Sequence, residues 1–184
     1  MGFFSSKKKD ILKAAIILLE DQNPEGPMFM LVYRHCQFYA KTLDPGHLEE
    51  LDLKTIDKYK NEPIYPEKFQ LLKSYMKAYI LHALNYKFIE AVDRKEIKKD
   101  DQEFLWNEMN ISLKKINLKA YNIHKLYFDK KGAESETQLR NLIDIISKEC
   151  FDNNLGDNCK KSVLWYFVQI FQTIQRSLTP VVQN

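Results

Sequence analysis

The side chains best suited to chemistry lie along one run, PEKFQLLKSYMKAYILHALNYKFIEAVDR, residues 66–94. At helical spacing Tyr75, Tyr79, His82 and Tyr86 fall along one side of this run, and a histidine among tyrosine hydroxyls can relay a proton or hold a ligand. The competing reading is a histidine at the edge of a core whose nitrogens are satisfied by neighbouring hydroxyls, the commoner fate of such a residue. His35 and Cys36 do not make a nucleophile pair, because adjacent helical residues point about 100° apart.

Trp165 is the second candidate. It stands in the middle of a polar stripe of Ser162, Gln169, Gln172 and Arg176, at spacings of three, four, seven and eleven residues. An aromatic side chain set among amides with an arginine nearby is the composition of a binding hot spot. The ordinary alternative is that another segment covers the indole, as most tryptophans are covered.

The third candidate is the start of the chain, MGFFSSKKK. Met1-Gly2, Ser6 and Lys7-Lys8-Lys9 resemble the coarse pattern of an N-myristoylated start followed by a basic patch, from which Phe3 departs. Without an acyl group, Phe3, Phe4, Lys7, Lys8 and Lys9 still make a segment that touches an anionic membrane weakly.

Stronger motifs are absent. The sequence holds no P-loop, GxGxxG, HExxH, GxSxG or paired CxxC. None of the four histidines has a glutamate three residues before it, which a carboxylate-bridged di-iron bundle requires. The loop from Asp152 to Asp157 superficially resembles a calcium loop, but its glycine sits at position five and no Glu occupies position twelve. No cofactor and no metal are expected.

These candidates need elements to position them. The chain has 184 residues, 45% apolar and 29% charged, which is enough for a globular domain with a real core. With 5 Gly and 6 Pro, it reads as helical, with few turns. A net charge of +3, with 4 arginines among 28 basic residues, disfavours nucleic acid, whose recognition concentrates positive charge and favours Arg. Three cysteines without CxxC and no secretory signal point to a reducing, cytoplasmic location, at the inner face of a membrane if the basic start is used.

The 66–94 run is amphipathic in its first half, with Phe69, Leu72, Met76 and Tyr79 opposite Gln70, Lys73, Ser74 and Lys77. From Ala78 it is apolar almost all round, the signature of a central helix. A second long helix is expected over 101–131, capped by Asp100 or Asp101 and stopped at Gly132. Leu105, Met109, Leu113, Ile116, Ala120, Ile123 and Tyr127 form its seam at spacings of four and three. The short polar link between the two predicts an antiparallel hairpin. Further helices are expected over 8–21 with Ser6 as cap, 28–43, 51–59, 135–150 with Ser135 and Gln138 as a capping box, and 159–178 ended by Pro180.

The expected architecture is therefore all-α: a single-domain helical bundle of five or six main helices built on a long antiparallel hairpin. Residues 8–180 form the bundle, residues 1–7 a flexible basic and aromatic tail, and 181–184 a short tail. The function expected first is a non-enzymatic protein–protein interaction module, of adaptor, chaperone-like or effector type, that binds an unidentified protein. A membrane-peripheral protein tethered through its N-terminal segment comes second, and a small enzyme or ligand binder using the His82 cluster third. Phe104, Ile111 and Leu118, seven apart, offer an edge for a partner or a second copy, so a homodimer fits the same pattern, and a kink near Asn117 that rotates the helix explains the stripe equally well.

Overall fold

Hydrophobic spacing of three and four residues runs through the described elements, all of them helices. A computed structural model describes residues 6–20, 66–128, 135–151 and 155–183, apart from a few side chains at the edges of these stretches. Six helices occur among them: α1 Ser6–Glu20, α2 Pro66–Asp93, α3 Lys99–Ile116, α4 Leu118–Tyr127, α5 Ser135–Cys150 and α6 Asp157–Gln183. No strand occurs among the described residues. The expected helices over 28–43 and 51–59, with His35 and Cys36, lie outside the described residues, as do Phe3 and Phe4.

The chain divides into two compact units. The first takes Met1–Asp21, Ser74–Asp129 and Gln169–Asn184, and the second Gln22–Lys73 and Lys130–Val168.

The first unit is built on α2. Ile80, Leu81, Ala83, Leu84, Phe88 and Ala91 are all buried and share one face about 160° wide, while Tyr86 and Ile89 on the opposite side are exposed, so this half of the helix is not buried all round as its composition implies. Ile11, Ala15 and Leu19 of α1, Leu105, Met109 and Leu113 of α3, and Ile174, Leu178 and Val182 of α6 complete one continuous core with them. Side-chain hydrogen bonds fix the relation of α2 to α3. Gln102 Nε2 donates to Asn85 Oδ1 at 3.4 Å, and Asn117 Nδ2 donates to the Ser74 hydroxyl at 3.2 Å, so the two helices run antiparallel.

Several local features differ from expectation. The helix over 101–131 is not unbroken. Asn117 takes an extended conformation (φ −154°, ψ 94°), ends α3, and caps α4 by accepting from the Ala120 N–H at 2.9 Å. Ile116 consequently drops out of the seam and is 37% exposed, while Ala120 and Ile123 are buried. The start of α3 has Lys98 at the capping position, with no side-chain cap. Asp100 and Asp101 lie in the first turn and Lys114 and Lys115 in the last, each complementing the helix dipole.

The polar side of α2 is less exposed than its residue types imply. Ser74 is buried, and Lys77 bends back so that Nζ donates to the Leu19 carbonyl at 2.6 Å. Lys87 is buried too and is paired with Glu90 at 3.1 Å. α1 already includes Ser6 and Lys7, so these residues belong to a helix and not to a tail. Pro180 lies inside α6 instead of ending it. The proline lacks the N–H that would bond back to the carbonyl of Arg176, but burial of Val182 in the core holds the last turn in place.

In the second unit α5 buries Leu139, Leu142, Ile143 and Ile146, and α6 buries Cys159, Val163 and Phe167. Phe151 and Leu155 are buried between the two helices in sequence, and Cys150 and Cys159 are both buried thiols. No helix among the described residues is long and apolar enough to cross a membrane.

Candidate functional site

The histidine cluster is assembled by α2 and the end of α4. The His82 ring stacks on Phe128 with centroids 4.9 Å apart and an interplanar angle of 27°. Tyr79 stands 6.1 Å from His82 and 6.0 Å from Phe128, and His124 and Trp106 extend the array at 5.8 Å and 5.3 Å. Burial lowers the His82 pKa from its ordinary value and pushes the Tyr79 hydroxyl up to about 12, because desolvation disfavours the charged form of each.

The other tyrosines leave this group. Tyr75 is buried and lies 6.4 Å from Tyr127, while Tyr86 is exposed and meets Phe171 edge-on at 5.4 Å. No side-chain hydrogen bond or ion pair of His82 occurs among the described residues, and its described ring neighbours Tyr79 and Phe128 contact it by aromatic packing. The arrangement is aromatic packing around a neutral histidine. His124 and Phe128, four apart on α4, were readable in sequence as a helical pair, but nothing local placed them opposite His82.

Trp165 is 47% exposed on α6, and Val168, one turn further, is also exposed. Both belong to the second unit, whose α5 and α6 bound a groove of about 250 Å³ lined by Arg140, Ile143, Asp144, Asp157, Lys160 and Lys161. Lys160 closes on Asp144 at 2.9 Å across it. Lys161 precedes Trp165 by four residues, so the indole continues the face that carries this side of the groove. Gln172 and Arg176 are exposed and Gln169 half-buried, but these three belong to the first unit.

A third place was not legible in sequence. Lys7 and Lys8 of α1, Lys95, Glu96 and Lys98 of the α2–α3 link, and Asp101 of α3 line a cleft of about 380 Å³ in the first unit. Lys8 pairs with Asp101 at 2.5 Å and lies over the Phe104 ring at 4.8 Å, so Lys7 and Lys8 of the basic start line this cleft, while Lys9 is exposed. Lys95 adopts a left-handed conformation with φ 59°. Its N–H donates to the Val92 carbonyl at 2.9 Å and the Glu96 N–H to the Ala91 carbonyl at 2.8 Å, the paired bonds of a Schellman cap.

No family model, curated protein or solved structure matches this chain. Its function has to be argued from these three places. No group of three or more His, Cys, Asp or Glu able to hold a metal occurs among the described residues.

Proposed function

We propose that this protein is a non-enzymatic interaction module that engages a protein partner through a surface of the second unit centred on Trp165. The observation that carries the reading is the half-exposed indole, with Val168 exposed beside it and a mixed-charge groove along the same helix. Roughly 100 Å² of uncovered indole, at about 25 cal/mol per Å², is worth ~2 kcal/mol when a partner covers it, the size of a hot spot. Arg140 and Lys161 against Asp144 and Asp157 supply both signs of charge at the rim, which favours specificity and register over bulk affinity.

The reading is tested by replacing Val168 with a photo-crosslinking phenylalanine analogue in the cells that make the protein. A discrete protein adduct is expected, and adding Trp165→Ala is expected to remove it while leaving the melting temperature of the purified protein unchanged. An adduct of this chain to itself would identify the partner as a second copy. No adduct, or one indifferent to Trp165→Ala, would reject the surface.

A further inference from the structure

The lysine cleft of the first unit is independent of the Trp165 surface, and we infer that it is a binding site for a phosphorylated polyol, the chemistry of a sugar or inositol phosphate. Its charges are not evenly matched. Lys8 is occupied by Asp101. Lys7, Lys95 and Lys98 make no side-chain hydrogen bond or ion pair among the described residues, yet all three line one concave space, Lys7 from α1 and the other two from the α2–α3 link. Like charges gathered in a cleft repel one another, and an anion there relieves this. The N-terminus of α1 adds to the field, since its first turn holds no acidic residue to compensate the dipole. Phosphate is the anion that suits several ammonium groups at once, because each of its oxygens accepts independently.

Lys95 carries the argument further. A glycine would meet its positive φ at no steric cost, yet this position holds a long cationic side chain lining the cleft. The cap geometry thus holds a cationic side chain at the cleft at a steric cost that glycine would avoid, and such costs cluster at ligand sites.

Glu96 sets the second requirement of the ligand. Its Oε1 accepts from Gln183 Nε2 at 3.2 Å, but its Oε2 is buried at the cleft with no hydrogen-bond partner among the described residues. A buried carboxylate oxygen calls for a donor. A ligand carrying hydroxyl groups beside its phosphates supplies one, which inorganic phosphate at neutral pH does poorly. The cleft volume, about 380 Å³, is that of a small-molecule site.

Inositol trisphosphate, inorganic pyrophosphate and unphosphorylated inositol are titrated into the intact protein by calorimetry. Trisphosphate is expected to bind, pyrophosphate more weakly, and inositol not at all. Lys98→Gln and Lys95→Gly should each weaken trisphosphate binding about tenfold, the size of one charge-assisted hydrogen bond. Lys95→Gly should at the same time raise the melting temperature of the unliganded protein, which separates loss of the site from loss of the fold. Glu96→Ala should abolish the preference for trisphosphate over pyrophosphate. Co-sedimentation with phosphoinositide vesicles, displaced by trisphosphate, assigns the ligand to a lipid headgroup, whereas binding in solution without co-sedimentation assigns it to a free metabolite. Absence of trisphosphate binding, or binding untouched by Lys95→Gly and Lys98→Gln, overturns the inference.

Discussion

Asn117 and Ser74 meet across the two long antiparallel helices of the first unit, with Asn117 Nδ2 donating to the Ser74 hydroxyl at 3.2 Å. The same asparagine breaks the second helix and caps the next by accepting from Ala120 N–H. One side chain thus fixes the break and ties it to the central helix. Asn117→Ala should remove a cap worth about 1 kcal/mol and a hydrogen bond of similar size, for a loss near 2 kcal/mol. Urea denaturation measures it. If the pairing matters, Ser74→Ala should cost less in the Asn117→Ala background than in the wild type, and full additivity of the two losses would show the residues are uncoupled.

The sequence made the all-α architecture and most buried faces readable, because apolar spacing of three and four survives without any knowledge of tertiary structure. Leu105, Met109 and Leu113 are buried as their spacing requires. The break at Asn117 is one of two readings of the Phe104, Ile111 and Leu118 stripe, and sequence leaves it open because Ala120 and Ile123 prolong the main rhythm and the Ser74 partner lies 43 residues away. The end of α2 falls within one residue of the expected 66–94 run, although its Schellman cap carries Lys95 where glycine is usual. Pro180 misled, since burial of Val182 outweighs the loss of one N–H near a helix end. The lysine cleft had no signal at all, its cations being spread from residue 7 to residue 98 in a lysine-rich chain.

Lys95 gives a prediction about stability that is opposite in sign to most substitutions. Glycine in its left-handed position removes a steric cost of about 1–2 kcal/mol and increases the entropy of the unfolded chain, leaving a net gain of roughly 0.5–1 kcal/mol. Lys95→Ala keeps the Cβ and should show no such gain. A chemical denaturation midpoint for Lys95→Gly at or below that of the wild type would mean the cap is not under strain.

Trp165 is 47% exposed and Trp106 only partly so, which makes the two indoles distinguishable in solution. Iodide should quench the wild-type emission in two classes, and Trp165→Phe should remove the accessible one. Trp106 packs against His124 at 5.3 Å and should remain weakly quenched. Quenching that is unchanged by Trp165→Phe would place this indole under cover and count against the proposed surface.

The His82 ring predicts how stability responds to acid. Burial lowers its pKa in the folded protein below the ordinary value near 6.5, while the unfolded chain keeps that ordinary value. Over the interval between the two, the unfolded state binds the proton more readily than the folded one. Stability contributed by the neutral ring is therefore complete above about pH 6.5 and falls as pH drops through that value toward the folded pKa. The stacked Phe128 ring, 4.9 Å away, offers no negative charge to offset this loss. Proton NMR of the imidazole, assigned by the peak missing from His82→Gln, should show a midpoint below 6.5. Melting temperatures of wild type and His82→Gln should converge as pH falls below 6.5, relative to their separation at pH 8. A midpoint above 6.5, or a separation that widens in acid, would show an unseen acidic partner holding the ring protonated.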